Sequence, residues 1–205
     1  MLNIDAQKER FKNHVASFQD LGNIKILDFK KPKSSNYRIR FMFEEDYCRC
    51  HISGDLGELV ATNYNNMTYE GFEDFVHNTG YFEGKIDCMS REIYDYDYEL
   101  AEKQLRERLK EIDEDGEDIE IDDVVSDMMD DFRNDGFGSK AYDILNEFDP
   151  CCYEYIGDFG KERTGILELY MLAFELAKKQ IDEKEVEHIK AELEAVDQER
   201  ENHYW

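Results

Sequence analysis

The sequence predicts an α+β protein: an N-terminal helix on an antiparallel meander of three to four strands, followed by an acidic, mainly helical C-terminal half. Three observations carry this. Residues 24–63 alternate apolar and polar side chains in short runs broken by turn residues, the pattern of strands with one covered face. From residue 97 onward the apolar residues recur every three to four positions, the period of a helix. The formal charge of −25 is also uneven: residues 1–90 hold 11 Lys and Arg against 14 Asp and Glu, and residues 91–205 hold 14 against 36. The charge break places a boundary near residue 90, between an α/β meander domain (1–90) and an acidic helical domain (91–205).

Residues 5–20 read as the first helix, with Asp5 as its cap, Phe11, Val15 and Phe18 at helical spacing and Gly22 as its stop. A strand over 24–30 leads through the Pro32 turn into a second over 37–43. There Tyr37, Ile39, Phe41 and Phe43 share one face, and Arg38 and Arg40 take the other. A third strand over 47–53 sets Cys48, Cys50 and Ile52 opposite Arg49 and His51. Gly54 and Gly57 turn the chain into a fourth run over 58–63, with Leu59 and Ala61 inward. Thr68 caps a helix carrying Phe72, Phe75 and Val76. This order superficially resembles the double-stranded-RNA-binding fold, but Glu70, Glu73 and Asp74 stand where its lysine cluster is expected, so that function is rejected.

Residues 81–89 fit neither period. Helices follow over 97–112, 121–134 and 139–148, the last ending before Pro150. Residues 151–156 read as a strand and 157–160 as a loop. Thr164 caps a helix over 165–180 that is apolar nearly all round and therefore buried. Residues 183–199 are amphipathic, with Val186, Ile189, Leu193 and Val196 at 3-4-3 spacing, a seam that packs on 165–180 or forms a homodimer.

The charge excludes some partners. A strong polyanion repels nucleic acid and anionic lipid and attracts basic protein grooves, and solubility alone is the plain alternative. No apolar run reaches the roughly 20 residues of a membrane span. The first residues lack the apolar core of a secretion signal, so a cytoplasmic protein with its five Cys reduced is expected.

The candidate interface is the 121–134 pattern. A helix rises about 1.5 Å per residue, so carboxylates at i, i+4 and i+8 stand about 6 Å apart, near the spacing of phosphates along one strand. Asp123, Asp127 and Asp131 form such a row, with Asp122 and Asp130 beside it. The competing reading is a solvated face whose Val124, Val125, Met128 and Met129 dock on a core. The acidic knot Asp113, Asp115, Glu117 and Asp118 extends the surface, as do Tyr94, Tyr96 and Tyr98, a residue type favoured in interfaces; those tyrosines read equally as a strand edge. The knot also fits a calcium loop loosely, with Asp113, Asp115 and Asp122 as ligands. Its first position would be Glu111 and its twelfth Asp rather than a bidentate Glu, so a plain acidic turn is preferred.

Arg38, Arg40 and Arg49 make a basic patch on the open sheet face, free for nucleic acid or an acidic protein or else covered by the chain's own acidic helix. The cysteines lack zinc spacing. No nucleophile elbow, Walker loop or dinucleotide-binding glycine pattern occurs, so no catalytic residue and no cofactor is assigned.

The stretches Ser35-Asn36-Tyr37-Arg38-Ile39-Arg40-Phe41, His51-Ile52-Ser53-Gly54-Asp55-Leu56-Gly57 and Leu167-Glu168-Leu169-Tyr170-Met171-Leu172-Ala173 resemble those of small proteins carried by phages and conjugative elements of Gram-positive bacteria, some of them anti-CRISPR proteins. The resemblance implies a class of role, an inhibitor of a nucleic-acid-handling machine in the bacterial cytoplasm, and no mechanism; the charge map adds the expectation that a non-enzymatic inhibitor engages a Cas-type nuclease through the acidic surface. Two alternatives stand beside it: a metal-dependent enzyme or regulator acting on nucleic acid such as guide RNA, and a calcium-binding interaction module.

Overall fold

The computed structural model describes residues 3–34, 36–113 and 119–203. The chain begins with helix α1 (Ile4–Phe11), followed by strands β1 (Val15–Asp20), β2 (Ile24–Lys30), β3 (Ile39–Glu44), β4 (Arg49–Gly54) and β5 (Leu59–Thr62). Two short helices, α2 (Glu73–Val76) and α3 (Thr79–Glu83), lead to β6 (Ile86–Met89). Then come β7 (Tyr94–Tyr96), α4 (Tyr98–Ile112), α5 (Ile121–Met129), β8 (Phe132–Arg133), β9 (Gly136–Phe137), α6 (Ser139–Asn146) and β10 (Lys161–Arg163). A single 38-residue helix, α7 (Ile166–His203), closes the described chain. The α+β class stands. Strands β1 to β6 form one antiparallel sheet of six strands in sequence order, where three to four were expected.

The first correction is at the N-terminus. Helix α1 is capped by Asn3, whose side chain accepts from the Ala6 amide at 3.0 Å, and it ends at Phe11. Residues 15–20 are not its continuation but β1, paired residue for residue with β2 from Val15 with Lys30 to Asp20 with Lys25. Phe11 ends the helix, and Val15 and Phe18, though at helical spacing from it, lie on a strand that hides Ala16 and leaves Val15 46 % exposed. Gly22, at φ +82°, turns this hairpin rather than stopping a helix.

Further along, Tyr37 and Cys48 take left-handed backbone angles, so β3 and β4 start at Ile39 and Arg49, later than the alternation suggested. The Thr68 hydroxyl accepts from the Gly71 amide at 3.0 Å and so caps a turn ahead of the short α2. Residues 152–154 and 156–158 are 3₁₀ turns instead of a strand. The loop expected at 157–160 gives way at Lys161 to β10, which pairs with β7.

The chain's contacts separate into two units, residues 2–91 with 165–205 and residues 92–164. By these contacts α7 groups with residues 2–91, whereas the charge map had grouped it with 91–205. In the sheet unit, Leu27, Phe29, Ile39, Phe41, Phe43, Cys50, Ile52, Leu59 and Ala61 line one face at 1 % exposure or less. The first half of α7 covers it. Phe174 packs on Phe41 and Phe72 at ring separations of 5.4 and 4.7 Å, and the Tyr170 hydroxyl donates to the Leu56 carbonyl at 2.9 Å. Each fully buried Phe of this cluster contributes about 2–3 kcal/mol through the apolar surface it removes from water.

The same helix shields the free edge of β1. Gln180 accepts from the Ala16 amide and donates to the His14 carbonyl, and Lys184 donates to the Ala16 carbonyl, at 2.9, 3.0 and 2.9 Å. A strand edge left open recruits other strands, so these side chains close a surface that would otherwise pair with another chain. Because α7 runs unbroken through residue 181, the seam from Val186 cannot fold back onto residues 165–180. Val186, Ile189 and Leu193 are 49, 49 and 60 % exposed.

Candidate acidic interface

Residues 92–164 carry 8 Lys and Arg against 25 Asp and Glu, and their own local structure sets where those acids stand. The segment starts and ends on the β7–β10 ladder, with Tyr94 opposite Arg163 and Tyr96 opposite Lys161. Asp97 caps α4, accepting from the Leu100 amide at 2.7 Å, and α4 buries Ala101, Leu105, Leu109 and Ile112 along one stripe. Helix α5 buries Val125, Met128 and Met129, and α6 buries Ala141 and Leu145. These stripes close on Phe132, Phe137, Cys152 and Ile156. Once the apolar arc of α5 is committed to this core, its acids are left on the arc facing solvent.

The predicted row is only partly realised. Asp123, Asp127 and Asp130 are exposed, and their carboxylates have no hydrogen-bond or ion-pair partner among the described residues. Asp122 is exposed too, but it bonds Arg106 at 2.6 Å, and Arg106 also holds Glu102 at 2.9 Å; both carboxylates raise the Arg106 pKa.

Asp131 is corrected outright. Helix α5 ends at Met129, and Asp131 lies in the following turn, where its carboxylate accepts from the Ala141 amide at 3.2 Å and its carbonyl from Gly138 at 3.1 Å. It therefore caps α6. A Cβ at position 138 would sit 2.6 Å from the Asp131 carboxylate, which is why glycine stands there.

The other candidates divide as well. Asp113 accepts from the Ile119 amide at 2.8 Å and so staples the two ends of the acidic knot. Asp115, Glu117 and Asp118 lie outside the described residues, so the calcium reading is carried by Asp113 and Asp122 alone. Among the described residues no group of three or more His, Cys, Asp or Glu is gathered as for a metal ion. The tyrosines do not act as one ladder. Tyr96 is packed against Phe132, and its hydroxyl donates to the Gly157 carbonyl at 3.4 Å. Tyr94 lies beneath Lys161 and Arg163, at 4.5 and 5.6 Å from its ring centre. Tyr98 alone is an open surface, 52 % exposed.

The basic patch belongs to the sheet unit and is largely spent there. Arg40 forms a two-pronged bond with Asp28 at 2.8 and 2.7 Å, and Arg49 reaches Glu44 at 3.4 Å. The acids that meet these two come from neighbouring strands, Asp28 on β2 and Glu44 on β3, and not from the acidic helix that was expected to dock there. The Arg40 guanidinium holds the buried Asp28 carboxyl below its usual pKa.

Two features escaped the sequence reading. The outer face of α4 carries Glu102, Glu107 and Glu111 in step with Lys103, Arg106 and Arg108, a visible i,i+4 and i,i+3 signal. The second is Asp149, 9 % exposed, which accepts from the Tyr155 hydroxyl at 2.7 Å and from Arg108 at 2.5 Å. Both bonds hold the Asp149 pKa down, while burial pushes Tyr155 up to about 12. No local pattern announces that contact, because Arg108 lies 41 residues away.

No protein-family model, curated protein or solved structure matches this chain. Among the described residues no helix is long and apolar enough to cross a membrane.

Proposed function

We propose that this protein is a non-enzymatic inhibitor whose acidic unit occupies the cationic groove of a bacterial nucleic-acid-handling defence protein, of the Cas nuclease type, in place of the polynucleotide. One observation carries the reading: with 25 carboxylates and 8 Lys or Arg, residues 92–164 keep a formal net charge of −17 however their own ion pairs are arranged. Self-repulsion on that scale destabilises a compact unit, so the surface suits a partner that supplies the missing charge. Asp123, Asp127 and Asp130 form its exposed centre, with Asp122 at the edge. The resemblance to proteins of mobile elements supports the same class of target in the bacterial cytoplasm.

The test is capture on the immobilised chain from a bacterial lysate, washed through a salt gradient. A groove built for phosphates should release steeply with salt, and each charge contact removed should lower the slope of log affinity against log salt by about 0.9. Asp123→Asn, Asp127→Asn and Asp130→Asn together should flatten that slope and weaken competition with DNA for a purified guide-loaded nuclease. If the captured proteins are no richer in nucleic-acid-binding proteins than those held by a polyglutamate matrix, the proposal fails.

A further inference from the structure

The acidic unit does not account for the far half of α7. Every residue from 182 to 195 is exposed, although the preceding turns of the same helix are buried against the sheet. At about 1.5 Å per residue, the run from 182 to 203 is about 33 Å of helix. In proteins most helical stability comes from packing of an amphipathic face, and this run packs none over residues 182–195. A Lys179–Glu183 ion pair and a His188–Glu192 contact at 3.2 Å sit on its near half. They do nothing for Val186, Ile189 and Leu193, which sit at the a and d spacing of a two-helix seam. Val196 continues the spacing in sequence. The stripe does not stop where the helix meets the sheet unit, because Val186 also lines a groove floored by Val76 and Phe174.

Charge selects the occupant. Residues 182–203 hold nine Asp and Glu against three Lys and Arg, and one of those three, Lys184, is bonded to the edge of β1. The positions flanking the seam are Glu183, Glu185 and Glu192 with a single Lys190. A second copy would set one such segment against another; its favourable contact is Glu185 with Lys190, within a pair of segments each of net −6. A helix flanked by Lys and Arg meets three of the four flanking charges with the opposite sign, and flanking charges of this kind set partner choice in paired helices.

We infer that the exposed half of α7 is a docking stripe for a basic amphipathic helix of a partner protein, which lays its apolar seam along Val186, Ile189 and Leu193 and ends in the groove at Val76. This surface is separate from the acidic unit, and loss of one leaves the other intact.

Two synthetic helical peptides test it, identical in their Ile and Leu seam and differing only in Lys or Glu at the flanking positions, with fluorescence anisotropy on the full chain as the readout. The Lys peptide should bind one to one and about tenfold or more tighter than the Glu peptide. Val186→Gln, Ile189→Gln and Leu193→Gln together should abolish that preference while the thermal unfolding curve stays put, since all three side chains are exposed. Three results overturn the inference. One is undiminished binding of the Lys peptide to the triple variant, which would mean general attraction to an anionic chain. Another is no binding of either peptide. The third is a sedimentation dimer of the parent that the triple variant loses, which would assign the stripe to a second copy.

Discussion

Residues 2–91 with 165–205 and residues 92–164 carry the same number of carboxylates, 25 each, but the first unit sets 17 Lys and Arg against them and the second only 8. The sheet unit pairs one cation with a buried carboxylate and buries another among carboxylates. Asp28, 4 % exposed, is held by Arg40, and Lys178, 9 % exposed, lies within 3.1 to 3.7 Å of Asp182, Glu73 and Glu70. Burial works to lower the Lys178 pKa, and those three carboxylates outweigh it and leave it raised. The helical unit has fewer cations and a smaller core, mostly aliphatic and Met side chains around Phe132 and Phe137, and its acids on α5 face solvent. Acid content alone therefore does not mark an interaction surface. The distinguishing quantity is the number of acids left over after the chain's own cations are placed.

The largest effect that separates the units is in the aromatic core. Phe72→Ala should cost the sheet unit about 3–5 kcal/mol and leave the unfolding of residues 92–164 unmoved, which denaturant titration followed by probes in each unit would resolve. Next is Arg40→Ala, which strands the buried Asp28 carboxylate at a cost of about 2–3 kcal/mol. Because the folded Asp28 pKa is depressed, this stabilisation is fully present above the unfolded carboxylate value near 3.9 and is lost as pH falls through the folded value. The deficit of the variant should shrink in acid.

Within the acidic unit, Asp131→Ala should cost about 1 kcal/mol through the lost cap of α6, whereas Asp123→Asn should lie within about 0.5 kcal/mol of the parent and favour stability at low salt. If both substitutions cost the same, the division between structural and surplus acids is wrong. The smallest effect is that of His14, buried with its pKa lowered by that burial. Below about pH 6.5 the unfolded chain binds a proton that the folded chain refuses, so stability should decline as pH falls through that value, and His14→Gln should remove this component of the pH profile.

The sequence shows most plainly where the period is long and uninterrupted. The stripe of α4 and the buried half of α7 are readable from spacing alone, and the inward faces of β3 and β4 from alternation. Strand β1 was not readable, because Phe11, Val15 and Phe18 satisfy a helix and only the pairing with β2 excludes it. The early end of α5 did have a local signal: Asn134-Asp135-Gly136 is a turn sequence between Phe132 and Phe137, and it makes the β8–β9 hairpin that moves Asp131 out of the row. The gap placed between 180 and 183 had no support, since neither Gly nor Pro occurs there to break α7. In the candidate interface the exposed acids of α5 were legible because the period assigns them the face opposite Val125 and Met128. The roles of Asp113, Asp131 and Asp149 were not, because each depends on an amide or a guanidinium brought in from elsewhere in the chain.

The ladder between β7 and β10 sets both ends of residues 92–164 side by side, with the Thr164 amide bonded to the Ile93 carbonyl at 2.9 Å. Such a segment is a cassette. It leaves the chain through one narrow seam, so a recombination event or a designed splice that exchanges it alters 17 net negative charges in a single step without re-threading the sheet.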